Sequence, residues 1–112
     1  MDDVTLVRRG DLAIARVRGD IDLANRDSLL DVMVAAARDG VRRVVLDLAR
    51  VEYIDSAGVR LVFEASRSLE ALGTDLALVR PERPYVARIL ALAAVEHAVA
   101  VFDDEAAAIV GE

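Results

Sequence analysis

The chain has 112 residues, of which 55% are hydrophobic, and a formal net charge of −6 in which every basic residue is arginine. This size and apolar content fit a single domain, residues 1–112, with its own core, and argue against disorder, while the acidic balance disfavours nucleic-acid binding. The longest apolar run, residues 89–95, is too short for a membrane span of about 20 residues, and the absence of cysteine fits a reducing, cytoplasmic compartment.

The first half of the chain alternates between strand and helix patterns. Two strand patterns flank Gly10 and Asp11, which predicts a hairpin, and a loop is expected over residues 19–22. A helix is expected to begin after Asn25 as its N-cap and to end at Gly40, because glycine readily adopts a left-handed backbone. The strands predicted in this half cover residues 4–9, 12–18 and 44–48, the last of them buried on both faces.

The second half repeats this alternation. A helix is predicted over residues 56–72 and ends at Gly73, Pro84 opens the next helix, and Asp103 caps a final helix over 104–110. Strands are predicted over 76–79 and 98–102. The fold class is therefore an α/β sandwich, a mixed sheet of about five strands with about four helices mainly on one side. The apolar face predicted for the helix over 56–72 consists of Val59, Val62, Phe63, Ser66 and Leu69.

Several carboxylates fall near predicted strand ends, where a hard cation such as magnesium can bind. They are Asp20, Asp22, Asp47 and Asp55. A small metal-dependent enzyme using Asp22, Asp47 and Asp55 is therefore one hypothesis, although turn shaping and helix capping explain the same residues and are favoured. His97 is the only histidine and has no serine or cysteine partner at a recognisable spacing, so a catalytic triad is poorly supported.

Ser56 lies where the buried strand pattern passes into a helix. Local chemistry favours a helix-cap role, with Asp55 as the capping residue and Ser56 in the first turn. The alternative is phosphorylation, which adds about −1.5 to −2 charges at a helix end that tolerates them. Because the helix end contributes only about 0.3–1 kcal/mol, a phosphate there is expected to act on a docked partner rather than on the fold.

The ordered motifs resemble those of the anti-sigma factor antagonists, which are built on the STAS domain. The resemblance runs over nearly the whole chain, from about residue 12 to 110, and its most specific piece is Asp55-Ser56-Ala57-Gly58 after a valine-rich strand. The other matching segments are residues 19–25, 44–48, 73–79 and 86–90.

The resemblance implies a non-enzymatic, cytoplasmic bacterial protein that regulates transcription by partner switching, as in stress responses. Unmodified members bind an anti-sigma factor that is also a serine kinase, and so release a sigma factor. The kinase phosphorylates the serine matching Ser56, a serine phosphatase restores it, and ATP and magnesium belong to the kinase, so no cofactor is expected here. The implied partner-binding residues are Asp20, Asp22, Asn25, Asp55, Ser56, Ala57, Gly58 and Arg60.

Two features depart from the family pattern. Residues 93–96 lack the glycine that relatives carry after the third helix, and Arg60 stands where relatives often have an apolar residue. By helical spacing, Arg60 is expected to pair with Asp55, with Glu64 or with a phosphate on Ser56. An alternative function on the same fold is a scaffold or regulatory subunit of another signalling or lipid-transport complex.

Overall fold

The structure is a computed structural model and describes residues 3–111. Its centre is a five-stranded mixed sheet in which the strands lie in chain order. The first two strands pair antiparallel as a hairpin, and every other neighbouring pair is parallel. The strands are β1 (Asp3–Arg9), β2 (Leu12–Ile21), β3 (Arg43–Ile54), β4 (Asp75–Val79) and β5 (Ala100–Phe102).

Four helices connect or follow the parallel strands. They are α1 (Arg26–Arg38), α2 (Ser56–Ala71), α3 (Pro84–Leu92) and α4 (Glu105–Val110), with a short 3-10 helix at Val95–His97. The main core, which contains buried residues of α1, α2 and α3, lies on one face of the sheet. The six-residue α4 covers a smaller cluster of Ile14, Val45, Ala77, Val79 and Ala108 on the other face. The predicted α/β sandwich is therefore confirmed, and no helix in residues 3–111 is long and apolar enough to cross a membrane.

The helix ends follow the predicted glycine and proline signals. Gly40 and Gly73 follow the ends of α1 and α2 with φ of +96° and +78°, which glycine adopts without a Cβ penalty. Pro84 is the first residue of α3, where its missing N–H costs nothing. These signals act through local backbone geometry, so the sequence alone can place them.

Two of the inner strands, β2 and β3, are several residues longer than predicted. The loop expected over 19–22 is wrong for its first three residues, because β2 continues to Ile21 and pairs there with Ile54 of β3. Two register shifts, between Arg16 and Arg18 and between Gly19 and Asp20, let the strands stay paired although the alternation of side chains is interrupted. The interrupted alternation is the reason that the pattern ended too early.

Three further boundaries or faces differ from the predictions. The last strand begins at Ala100 rather than at residue 98, because Ala98 and Val99 form the turn after the 3-10 helix and donate their N–H groups to the Val95 carbonyl. The last helix is capped by Asp104, which accepts the N–H of Ala107 at 2.8 Å, rather than by Asp103. The apolar face of α2 is also rotated from the prediction, because small residues fit closest to the sheet. Its buried residues are Ala57, Gly58, Leu61, Val62, Ala65 and Leu69.

Candidate functional site

Asp55 caps α2 and leaves the Ser56 hydroxyl unused. Asp55 has an extended backbone, and its Oδ1 accepts the N–H of Gly58 at 2.9 Å. Ser56 is the first residue of the helix and is exposed. Within residues 3–111, its side chain makes no hydrogen bond. The predicted division of roles, with Asp55 as cap and Ser56 beside it, is present at this helix start.

The loop between β2 and α1 is held by its own polar side chains. Asp22 Oδ1 accepts the N–H groups of Ala24 at 3.0 Å and of Asn25 at 3.2 Å. Asn25 precedes α1 as predicted, but its side chain does not cap that helix. Instead it accepts the N–H of Asp22 at 3.0 Å and donates to the carbonyl of Asp20 at 2.8 Å. The three polar residues therefore fix the shape of this loop.

The loop and the start of α2 are joined at one point. The second carboxylate oxygen of Asp55 accepts the N–H of Leu23 at 3.4 Å, and its backbone N–H donates to the carbonyl of Ile21 at 3.3 Å. A Cβ added to Gly58 would lie 2.6 Å from that carbonyl and 2.6 Å from Ile54 Cγ1, so glycine permits the close approach. All the residues predicted for partner binding except Arg60 thus belong to one corner of the fold, where the β2–α1 loop meets the start of α2.

The predicted site residues differ in exposure. Ser56 and Arg60 are exposed, and Asp20, Asp22, Asn25 and Asp55 are half-buried. Ala57 and Gly58 are buried, so they set the position of α2 and offer no side-chain surface to a partner. Arg60 pairs with neither Asp55 nor Glu64; Glu64 instead accepts a hydrogen bond from Arg26.

Sequence reasoning missed an apolar groove that begins at Ser56. Tyr53, near the end of β3, stacks on Tyr85 of α3 with ring centroids 6.4 Å apart. Both rings are substantially exposed, and Leu92 on the same helix is 80% exposed. The groove is lined by Tyr53, Ile54, Asp55, Ser56, Val59, Arg60, Tyr85, Ile89, Leu92 and Ala93. Tyr53 and Tyr85 are the only tyrosines, and that scarcity was the signal available in the sequence.

The carboxylates proposed for a metal site do not converge. Asp22 and Asp55 belong to the corner at the carboxyl end of the sheet, whereas Asp47 lies on β3 eight residues before Asp55, roughly 25 Å along the strand. No group of three or more metal-ligating side chains occurs within residues 3–111. His97, at the end of the 3-10 helix, is exposed. The geometry of these residues therefore gives the metal-enzyme hypothesis no support.

Asp47 instead forms a charged cluster under α4. Arg16, its neighbour on β2, donates to both carboxylate oxygens of Glu105 at 2.7 and 2.8 Å. These bonds, together with a hydrogen bond to Asp47, lower the pKa of Glu105 to about 2. Burial, reinforced by that hydrogen bond with Glu105, raises the pKa of Asp47 from 3.8 to about 6. Two acids with oppositely displaced pKa values therefore lie beneath the last helix.

The family model of the STAS domain matches residues 3–108, almost the entire described chain. The chain belongs to the STAS domain family. This STAS domain is 36% identical over 75 residues to BtrV of Bordetella bronchiseptica, a protein named as an anti-sigma factor antagonist. The match covers 67% of this chain and 65% of BtrV, so somewhat less than two thirds of that relative is spanned.

Solved structures share the fold over nearly the whole STAS domain. An anti-sigma factor antagonist from Mycobacterium paratuberculosis matches with a TM-score of 0.84 and 20% identity, over 98% of this chain and 92% of that one. The unphosphorylated form of the anti-sigma factor antagonist SpoIIAA matches with a TM-score of 0.77 and 23% identity, over 97% and 93%. A crystal structure of Mglu is 38% identical, with a TM-score of 0.62, but only 20% of that chain is covered, along with 70% of this one.

Proposed function

We propose that this STAS domain is an anti-sigma factor antagonist controlled by phosphorylation of Ser56. In its unphosphorylated form it binds an anti-sigma factor that is also a serine kinase, and so frees a sigma factor for transcription. The kinase then phosphorylates Ser56 and the complex separates, and a serine phosphatase resets the switch. The chain acts as one domain in the cytoplasm, without catalysis or a cofactor of its own.

The observation that carries the proposal is the free hydroxyl of Ser56. Asp55 already supplies the cap, so modification of Ser56 breaks no hydrogen bond of the helix. The hydroxyl is exposed at the first helical residue, where a kinase can reach it and where the helix end favours negative charge. Similarity to BtrV, which is named as an anti-sigma factor antagonist, supports the proposed partner class.

The energetics favour a switch in binding over a switch in fold. A phosphate gains about 0.3–1 kcal/mol from the exposed end of α2, and repulsion from Asp55 offsets part of that gain. A partner packed over the same hydroxyl would have to take a charged phosphate out of water, which costs several kcal/mol. A cost of about 3 kcal/mol weakens binding more than a hundredfold.

The test is phosphorylation by candidate anti-sigma factors with serine kinase activity, using labelled ATP. The wild type and a Ser28→Ala variant are expected to take up label, whereas Ser56→Ala is not. Ser28 is the matched control because it is an exposed serine in the first turn of the other long helix, α1. Unphosphorylated protein is then titrated with the same kinase, and Ser56→Glu should bind it more weakly.

Equal labelling of wild type and Ser56→Ala would contradict the assignment of the acceptor. Labelling confined to Ser56 without any loss of binding by the phosphorylated protein would contradict the switch. Both readouts come from the same preparations, so the site and its consequence are judged separately.

A further inference from the structure

We infer that the groove between α2 and α3 is a docking site for an amphipathic helix of the partner, one that has an apolar face and carboxylates along its edges. The groove runs from Ser56 to Leu92 and is lined by the residues given above. The inference rests on the proposed function only in taking the anti-sigma factor as the owner of that helix.

The shape and polarity of the groove fit an apolar helix face. Val59 of α2 and Ile89 of α3 are partly buried against the core and form the apolar floor. Tyr85 and Leu92 are 52% and 80% exposed, and they lie almost two turns apart on α3. Such a row of anchors matches residues spaced at i, i+3, i+4 and i+7 on a docked helix.

The charges beside the groove indicate which side chains should line the edges of the docked helix. The protein as a whole is acidic, with a formal net charge of −6, yet arginines flank the groove. Arg60 lines it from α2, and Arg88 lies between Tyr85 and Leu92 on the exposed side of α3. In the described part of the chain, neither arginine forms an ion pair, whereas Arg26, Arg42 and Arg80 do. Two unpaired cations beside an apolar groove complement a helix edged with glutamate or aspartate.

The same arrangement links the groove to Ser56. Arg60 is four residues after Ser56 on α2, so the two side chains are neighbours on the helix surface, and both line the groove. A phosphate on Ser56 would attract Arg60 and compete with the carboxylates of the docked helix. Phosphorylation would thereby weaken docking by removing one of its two cations as well as by adding charge.

Two synthetic helical peptides test the groove without any knowledge of the partner. Each has about 18 residues, roughly five turns, with the same leucine stripe, and they differ only in carrying glutamates or lysines along the edges. When the glutamate peptide is added to the full chain, amide chemical-shift changes should be largest at and around residues 59, 60, 85, 89 and 92. It should bind at least about tenfold more tightly than the lysine peptide.

Charge-reversed and truncated variants make the test specific. Arg60→Glu should invert the peptide preference, whereas Arg50→Glu, which makes the same charge change at an exposed arginine outside the groove, should not. Leu92→Ala should weaken binding of the glutamate peptide several-fold. Leu72→Ala, at an exposed leucine after the far end of α2, should leave that affinity unchanged. Ser56→Glu should weaken binding of the glutamate peptide and should not weaken binding of the lysine peptide.

Several outcomes would overturn the inference. They are equal affinity for the two peptides, shifts mapped away from the groove, no binding of either peptide at millimolar concentration, or a self-association through this face in sedimentation. The proposed function fails separately, through the labelling of Ser56. If the kinase labels and binds the protein but binds Leu92→Ala and Arg60→Glu as tightly as the wild type, the groove is refuted while the function stands.

Discussion

Replacing Asp47 with asparagine should stabilise the protein at neutral pH and leave it unchanged near pH 4. Asp47 accepts the N–H of Ala49 at 2.9 Å and shares a hydrogen bond with Glu105 beneath α4. In Asp47→Asn, the amide oxygen keeps the first bond, and the amide nitrogen donates to Glu105 at every pH. The substitution therefore fixes the arrangement that the wild type reaches only when Asp47 is protonated.

The direction in which stability changes with pH follows from the direction of each pKa displacement. The pKa of Asp47 is about 6 in the folded protein and 3.8 as a free group, so its contribution to stability is fully present below pH 3.8 and is lost as the pH rises through 6. The pKa of Glu105 is lowered from 4.5 to about 2, so its contribution is present above pH 4.5 and is lost as the pH falls through 2. The pair therefore stabilises the fold most near pH 4, between about pH 3.8 and 4.5.

The pKa displacement of Asp47 sets the size of the expected gain in stability. One pKa unit corresponds to about 1.4 kcal/mol, so the ionisation of Asp47 costs at most about 3 kcal/mol. Asp47 is only partly buried, so solvent screening reduces this figure to about 1.5 kcal/mol. For a domain of this size, Tm at pH 7.5 should rise by roughly 5–10 °C.

Thermal and urea unfolding between pH 4 and 8 give the measurement, compared among wild type, Asp47→Asn and Asp31→Asn. Asp31 is an exposed carboxylate on α1, so its variant makes the same change of net charge without touching the cluster. The difference between Asp47→Asn and wild type should grow as the pH rises through 6, whereas Asp31→Asn should follow the wild type. Parallel curves for Asp47→Asn and wild type would refute the reasoning.

Four further substitutions test the corner around Ser56 and one strained turn, each by urea unfolding. Gly58→Ala should cost about 1–3 kcal/mol, because its Cβ would lie 2.6 Å from the Ile21 carbonyl; a stabilised variant would show that β2 and α2 can separate freely. Asp55→Ala should cost about 0.5–2 kcal/mol through loss of the cap on Gly58 N–H, and no loss would mean that the cap is not formed in solution. Ser56→Asp should change the free energy of unfolding by less than about 1 kcal/mol, because the helix end attracts the new carboxylate while Asp55 repels it. A larger change would mean that charge at this position acts on the stability of the fold. Ala94→Gly should add about 0.5–1 kcal/mol, because Ala94 has φ of +57°, and a loss there would mean that its methyl group packs usefully.

Local chemistry made much of the candidate site predictable. Asp55 as cap, Ser56 as the first residue of α2, and the helix ends at Gly40 and Gly73 each depend on backbone geometry within a few residues. The alternation of apolar segments predicted the α/β sandwich for the same reason, because the hydrophobic periodicity of each strand or helix depends only on the residues within that element. The family resemblance added the role of Ser56, which local chemistry alone would have left as part of a helix start.

The three-dimensional packing decided what depends on residues that are distant in the chain. Only strand pairing extends β2 to Ile21, only the fold brings Tyr85 onto Tyr53, and only α4 places Glu105 beside Asp47. The residues around each partner do not specify these contacts, because a side chain's hydrophobicity does not determine which distant surface it meets. The sequence by itself thus determined the order of the elements and the position of the hydroxyl. The groove beside that hydroxyl and the coupled acids on the opposite face exist only because folding brings separate segments into contact.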